Sequence, residues 1–336
     1  MTRELAKAPV PQKTALAVPQ AVQARAHEHA INARSDNTRR AYASDWRDFE
    51  AWCATAKAQS LPASAEAVAY YLEARSGEGL KPATLERRLA AIAVAHKLKS
   101  LPSPTGSEVV RLVLEGIRRE KGTRQRQVNA ITLDLLERML VDLKPGVLAE
   151  IRDRTVLTLG FAGGFRESAL VSLFAEDLKF TESKGFTALL RKDKTDQVAA
   201  GRTIAIRANP HRPDLCPVLA LREWLTASKI RKGPIFRGFY RGNVLRPTAM
   251  SAQTVDLIVK EAARRIGLDP TKFTSHSLRA GHVTEALRRK VPVPVIMETT
   301  GHRDATTLAE YYREADAFSH GSSGTVYGVD DAKENE

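Results

Sequence analysis

The sequence predicts a mainly helical protein of two domains, the second of which also carries a small antiparallel three-stranded sheet. Apolar residues recur at helical spacing through most of residues 35–121 and again from residue 133 onward. Between residues 177 and 206 the pattern changes to three short segments typical of strands, separated by polar turns. A chain of 336 residues is long enough for each domain to bury its own core.

Residues 35–121 are predicted to form an all-helical domain, preceded by a flexible arm at residues 1–34. The arm is rich in Ala, Pro, Gln and Lys and lacks hydrophobic periodicity. Residues 35–37 are N-capping types, and Trp46 and Phe49 follow them on one helical face. Further helices are predicted at Ala65–Arg75, from Pro82 onward, and at Glu108–Glu120.

A basic, polar segment at residues 122–131 is expected to link this domain to a second one at residues 132–318, before a flexible polar tail at residues 319–336. The second domain is predicted to contain helices at Leu133–Leu143, Leu148–Ala162, Glu167–Leu173, Pro217–Ser228, Ala252–Ile266, Ser277–Arg289, Val293–Thr299 and Ala305–Ala317. Strands are predicted at Asp177–Thr181, Phe186–Arg191 and Arg202–Ile206, with a turn at Lys192–Gly201 between the last two.

The charge of the chain favours a polyanionic partner. Its 52 Lys and Arg residues against 39 Asp and Glu residues give a net charge of +13. Basic groups neutralise phosphates and release counterions, but basic proteins also bind anionic membranes or simply stay in solution, so charge leaves these alternatives open. Apolar runs stay below the ~20 residues of a membrane helix, and Pro9 and Pro11 interrupt any signal-peptide core, which predicts a cytoplasmic protein without a membrane partner.

The cysteines do not indicate metal chemistry. Cys53 and Cys216 lie far apart, without His or Cys neighbours at zinc-site spacing. We expect both to be reduced, buried thiols. The sequence predicts no metal, no cofactor and no small-molecule substrate.

Several residues of the second domain have the chemistry to bind a phosphate. The i, i+3 spacing of His276 and Arg279 places an imidazole and a guanidinium on one helix face. Arg166 follows a Gly-Gly break after a predicted helix, and Lys194 lies in the predicted polar turn. Each feature alone has an ordinary explanation, because such pairs are common on solvated helix faces and a turn lysine is normally just exposed.

Two further residues complete the set. His302 follows Gly301 at the end of a predicted helix, and Tyr311 lies nine residues later on the next one. Taken singly, His302 could cap a helix end, and Tyr311 beside Tyr312 could belong to an ordinary core pair.

The order and spacing of these residues resemble the tyrosine recombinase (phage integrase) family. The pattern is an arginine, a lysine on a hairpin, His-x-x-Arg, Gly-His, and a tyrosine nine residues later. The resemblance covers residues 35–318, and the compact two-domain layout is most similar to Cre-like recombinases. It implies that residues 35–121 are a DNA-binding core-binding domain and residues 132–318 the catalytic domain.

The resemblance implies a nucleophile and a set of residues around the scissile phosphate. Tyr311 would attack the phosphate and form a covalent 3′-phosphotyrosine, with neither metal nor ATP. Arg166 and Arg279 would hold the non-bridging oxygens, because a guanidinium forms charged, forked hydrogen bonds and stays protonated. His276 and His302 would donate to the same phosphate.

Proton transfers are assigned in the same way. His276 could also accept the phenol's proton, since tyrosine has an ordinary pKa of about 10 and is a weak nucleophile when protonated. Lys194 would protonate the leaving 5′-oxygen. The implied partners are double-stranded DNA with a specific target site and a homotetramer on two such sites, acting through a four-way junction in integration, excision, resolution or inversion.

One position departs from the family pattern. An acidic residue is usual three positions after the first arginine, where this chain has Ala169. Either Glu167 compensates for it, or a different contact orients Arg166.

Two other functions fit part of the pattern. A type IB topoisomerase shares the nucleophile, arginines and histidine but relaxes supercoils without exchanging partners, and the Lys-Thr hairpin and Gly-His turn fit recombinases better. Relaxation of a plasmid without a target site would indicate the topoisomerase. A non-enzymatic DNA-binding relative would never become covalently attached to DNA, and it would have no use for a tyrosine beside a phosphate-binding group.

Overall fold

The computed structural model describes residues 19–22, 25, 35–122, 128–191, 201–308 and 311. The chain divides into two compact units, residues 1–126 and 127–336. The described residues are mostly helical and include a three-stranded antiparallel sheet, so the predicted fold class is confirmed. Among the described residues, no helix combines the length and the hydrophobicity required to cross a bilayer.

Residues 35–122 of the first unit form four α-helices, two of which begin after a capping serine. They are α1 (Asp36–Thr55), α2 (Ala65–Gly77), α3 (Pro82–Leu98) and α4 (Glu108–Lys121). The side chain of Ser35 accepts a hydrogen bond from the Thr38 amide and that of Ser64 from the Ala67 amide, which satisfies amides that a helix N-terminus leaves without partners. Apolar faces of the four helices meet in a core of Phe49, Cys53, Val68, Ala69, Tyr71, Leu72, Leu85, Leu89, Ile92, Val110, Leu114 and Ile117.

A polar network fixes three of these helices against one another. The carboxylate of Asp48 on α1 accepts hydrogen bonds from the Tyr71 hydroxyl at 2.7 Å and from Arg75 Nε at 2.9 Å, both on α2. Arg88 on α3 donates to the same carboxylate and to the Tyr71 hydroxyl. Burial, followed by the hydrogen bond to Asp48, raises the pKa of Tyr71 far above its ordinary value. Because these hydrogen bonds join side chains from three helices, the network specifies how the helices pack.

The second unit contains seven helices among its described residues. They are α5 (Leu133–Val141), α6 (Leu148–Gly163), α7 (Glu167–Val171), α8 (Pro217–Ser228), α9 (Ala252–Arg265), α10 (Ser275–Arg288) and α11 (Val293–Thr300). In the region predicted to form the helix Ala305–Ala317, residues 306–308 and 311 are helical, whereas residues 309–310 and 312–317 lie outside the described residues.

Two small sheets accompany these helices. Strands β1 (Leu178–Thr181), β2 (Gly185–Leu190) and β3 (Arg202–Arg207) pair antiparallel in that order, as predicted. A second antiparallel pair, β4 (Arg237–Phe239) and β5 (Leu245–Ala249), is absent from the sequence-based prediction. These strands are short and none of their residues is fully buried, so they lack the apolar alternation that predicts a strand.

Helix α10 packs closely against the segment that enters the second unit. The Ile131 amide donates to the Ser277 carbonyl at 3.0 Å, and the Ile131 side chain is fully buried. Facing this segment, Gly281 has no room for a side chain, because a Cβ there would lie 1.8 Å from the Ile131 carbonyl oxygen. A glycine inside α10 is therefore required by packing, even though it weakens a helix.

We predict that Gly281→Ala destabilises the second unit by about 1–3 kcal/mol, the usual effect of overpacking, although alanine is the better helix former. Gly116→Ala in α4 is the matched control, since no atom lies within 4 Å of its Cβ position, and it should be neutral or stabilising. Urea denaturation of both variants measures the change. Equal stability of Gly281→Ala and the wild type would contradict the prediction.

Candidate functional site

A buried guanidinium lies at the centre of the candidate site. Helix α10 begins with a capping box at Thr274, which places His276 in its first turn and Arg279 one turn later. Arg279 is 2% exposed. Its Nη1 donates to the carbonyl oxygens of Gly164 and Thr300, both at 2.6 Å, so this side chain joins the ends of α6 and α11 to α10.

Gly164 must approach these groups closely. It adopts a left-handed conformation with φ of 53° at the end of α6, and a Cβ there would lie 2.8 Å from Thr300 Cγ2. The predicted break at Gly163-Gly164 therefore ends the helix and also exposes a carbonyl to Arg279.

The hydrogen-bond network assigns the protonation of His302. The Thr300 hydroxyl donates its single proton to the Ile296 carbonyl at 2.6 Å and must therefore accept from His302 Nδ1, also at 2.6 Å. Nε2 of His302 is then unprotonated and accepts from Arg279 Nη2 at 2.8 Å. Burial, followed by the charges of Arg279 and Arg166, lowers the pKa of His302 to about 3. His302 is thus neutral at physiological pH.

Arg166 contacts the turn that follows α11. It is the residue before α7, and its Nη2 is 3.5 Å from the Gly301 carbonyl oxygen. Ala169, at the position where the family usually has an acid, is 3% exposed. The carboxylate of Glu167 is 3.5 Å from the Ser275 hydroxyl, and its charge acts to raise the pKa of His276. Thus Glu167 faces the start of α10, and Arg166 faces a backbone carbonyl.

Tyr311 lies beside the start of α10. Its hydroxyl oxygen is 3.0 Å from His276 Nε2. Burial, followed by the charge of Arg279, lowers the pKa of His276, so this imidazole is neutral near pH 7 and can accept the proton of a phenol. The pair therefore has the geometry of a nucleophile and its base.

The structure brings together Arg166, His276, Arg279, His302 and Tyr311 from the predicted set, whereas Lys194 lies outside the described residues. Sequence reasoning did not identify the carbonyls of Gly164, Thr300 and Gly301, nor the Thr300 hydroxyl. Backbone carbonyls carry no residue-type signal. The signal for Thr300 was its position directly before the Gly-His turn.

Comparison with known families gives a match in each of the two units. Residues 129–317 match the "Phage integrase family" model, and residues 30–99 match the "Phage integrase, N-terminal SAM-like domain" model. The chain belongs to the phage integrase family, the tyrosine recombinases. Its function is site-specific DNA recombination, and with it DNA binding.

Relatives and solved structures match most of the length of the chain. The chain is 37% identical over 298 residues to an integrase/recombinase XerD homolog of Selenomonas ruminantium, covering 88% of this chain and 86% of that protein. It is 24% identical over 305 residues to the Cre recombinase of Escherichia phage P1, covering 84% and 85% of the two chains. A lambda integrase tetramer bound to a Holliday junction has the same fold, with a TM-score of 0.53, 16% identity and coverage of 88% of this chain and 78% of that chain.

The lowered pKa values of His282 and His302 predict that the stability of the second unit falls in acid. Burial lowers the pKa of His282 to about 4, and that of His302 lies at about 3. Below the ordinary value of about 6.5 the unfolded chain binds protons that the folded chain excludes, so stability falls as pH falls. Each such histidine contributes a slope of about 1.4 kcal/mol per pH unit.

Urea denaturation between about pH 7 and pH 5, where most carboxylates stay ionised, measures this slope. His282→Gln and His302→Asn should each make it shallower. His211→Gln, which replaces an exposed histidine, is the matched control. The same slope in all three variants would show that neither His282 nor His302 is excluded from protonation.

Proposed function

We propose that this recombinase cleaves one DNA strand by attack of the Tyr311 hydroxyl on the scissile phosphate. The observation that carries the proposal is the 3.0 Å contact between Tyr311 Oη and His276 Nε2, one helical turn from the buried Arg279. In the proposed step the bond from Tyr311 Oη to phosphorus forms and the bond from phosphorus to the 5′-oxygen breaks. The product is a 3′-phosphotyrosine and a 5′-hydroxyl, and the reverse step with another 5′-hydroxyl rejoins the strand.

The two arginines are proposed to bind the non-bridging oxygens of this phosphate. Attack increases the negative charge on these oxygens, and preorganised cationic donors stabilise that charge more than the ground state. Arg279 is held by carbonyls from two segments, and Arg166 points to the same helix end, so their positions are set before DNA arrives. Fixed guanidiniums need little rearrangement during the reaction.

His302 is proposed to become a donor when the phosphate binds. Its Nε2 accepts from Arg279, and burial, followed by the charges of Arg279 and Arg166, disfavours a second proton. A phosphate beside Arg279 adds negative charge, which raises the pKa of His302 and favours a proton on Nε2. His276 is proposed to take the phenol's proton.

Lys194 is proposed as the acid that protonates the leaving 5′-oxygen. The support is its place between β2 and β3, which matches the family's hairpin lysine, and the chemical need for a proton on a strongly basic alkoxide. The partners proposed are double-stranded DNA with a specific target site and a homotetramer on two such sites. The lambda integrase tetramer on a Holliday junction supports this assembly by its shared fold.

The central test is the identity of the nucleophile. DNA that becomes covalently attached to the protein is recovered and sequenced, and the sequence is built into a nicked suicide substrate. Tyr311→Phe should bind this substrate but form no covalent complex, because its ring lacks the attacking oxygen. The neighbouring Tyr312→Phe is the matched control and should still cleave.

Peptide mapping of the phosphotyrosine distinguishes the remaining outcomes. Attachment at Tyr312 or Tyr327 would overturn the assignment of Tyr311. Binding without any covalent product from the wild type would favour the non-enzymatic relative, and relaxation of a plasmid without the site would favour a topoisomerase.

The role of Lys194 predicts a dependence on the leaving group. Lys194→Ala should bind DNA normally and slow cleavage by about a hundred- to ten-thousand-fold, as loss of a general acid does. A substrate with a 5′-bridging sulfur leaves as a thiolate without needing a proton, so Lys194→Ala should cut it nearly as fast as the wild type. Equal slowness on oxygen and sulfur substrates would instead indicate a backbone contact, and Lys192 and Lys179 would be tested next.

A further inference from the structure

The C-terminal end of α11 presents carbonyls that the helix itself does not satisfy. Gly301 adopts a left-handed conformation with φ of 70°. The amides of Gly301 and His302 both fold back to the Met297 carbonyl, at 2.7 and 3.2 Å. The carbonyls that follow Met297 therefore depend on donors from elsewhere in the unit.

Three arginines supply these donors. Arg279 donates to the Thr300 carbonyl, and Arg166 lies 3.5 Å from that of Gly301. Arg202 donates from Nη1 to the two preceding carbonyls, Glu298 at 2.6 Å and Thr299 at 2.8 Å. The two proposed phosphate-binding arginines and Arg202 thus bind consecutive carbonyls of one helix end.

Arg202 is well placed to hold that helix end. It is the first residue of β3 and pairs with Leu190 in β2. The strand is anchored by Ile204 and Ile206, which are 3% and 4% exposed in the core. A helix C-terminus carries partial negative charge, so a guanidinium there is stabilising. The contact fixes the end of α11 to the sheet.

We propose that Arg202 is a positioning residue for DNA cleavage. By fixing the end of α11 to the sheet, it keeps the following carbonyls where they orient Arg279 and Arg166 toward the scissile phosphate. The inference rests on the proposed role of those two arginines. Arg202 acts through them and does not itself touch the phosphate.

The hydrogen-bond geometry separates this role from that of Arg279. The contacts of Arg202 with the Glu298 and Thr299 carbonyls both come from one nitrogen, Nη1. A lysine ammonium can replace such a nitrogen, because it offers several donors from one point. Arg279 uses two nitrogens for different partners, so lysine cannot replace it. Rescue by lysine is therefore expected at position 202 and not at position 279.

The test measures single-turnover covalent-complex formation at saturating protein, on suicide DNA of the sequence recovered above. Arg202→Met should cleave about a hundredfold more slowly, the usual effect of misplacing catalytic groups by about 1 Å. Arg202→Lys should regain most of the rate. Arg207→Met, which removes an exposed positive charge from the other end of β3, is the matched control and should cleave like the wild type.

A second substrate distinguishes positioning from a loss of stability. A methylphosphonate at the scissile position replaces one non-bridging oxygen with a methyl group and removes the charge that the arginines neutralise. If Arg202 acts through Arg279 and Arg166, the defect of Arg202→Met should shrink on this substrate, as the defect of Arg279→Lys should. An equal defect on both substrates, a wild-type rate for Arg202→Met, or no rescue by lysine would overturn the inference.

The rate of Arg279→Lys distinguishes a failure of the proposed phosphate binding from a failure of the proposed role of Arg202. If Arg279→Lys cleaves the ordinary substrate at the wild-type rate, the proposed binding of the phosphate by Arg279 is wrong. If Arg279→Lys is slow while Arg202→Met cleaves at the wild-type rate, phosphate binding by Arg279 is supported and only the proposed role of Arg202 is wrong.

Discussion

The site depends on the solvation of one buried charge, the guanidinium of Arg279. Removing a charge from water is costly unless protein dipoles replace the water. Here the carbonyls of Gly164 and Thr300 do so, each from the end of a different helix, while His302 accepts from the other nitrogen. These contacts couple the packing of α6, α10 and α11 to the assembly of the site. Gly164 is needed at this point for its conformation and its lack of a side chain.

The site is cationic through its arginines, whereas burial keeps its histidines neutral. Arg166 and Arg279 carry fixed charge, and together with burial they lower the pKa values of His276 and His302. The imidazoles therefore do not add to the repulsion between the arginines. A bound phosphate would change this balance, since it offsets the positive charge and favours protonation of the same rings. The proposed site thus combines two permanently charged donors with two imidazoles whose protonation would depend on the bound phosphate.

The parts of this structure that follow local rules could be predicted from the sequence. Helix α8 spans Pro217–Ser228 as predicted, because a proline at its first turn and a clear apolar period define it. The spacing of His276 and Arg279 predicted that both lie on one face of a helix, and the family resemblance assigned them to the site. The β4–β5 pair was missed because its strands are short and none of their residues is fully buried. The contacts of Arg202 could not be predicted, since they join a strand to backbone carbonyls almost a hundred residues away, and a carbonyl has no residue identity.

The hydrogen bonds around Thr300 form a chain with a fixed direction. The Ile296 carbonyl can only accept, so the hydroxyl must point toward it, and every proton along the chain is ordered in turn. The Ile296 carbonyl thereby determines that Nε2 of His302 is the nitrogen without a proton, which faces Arg279. Valine has nearly the shape of threonine but no hydroxyl. Thr300→Val would therefore preserve the packing, but it would no longer determine which nitrogen of His302 carries the proton. The Ile296 carbonyl thus fixes the protonation of the His302 imidazole through the Thr300 hydroxyl.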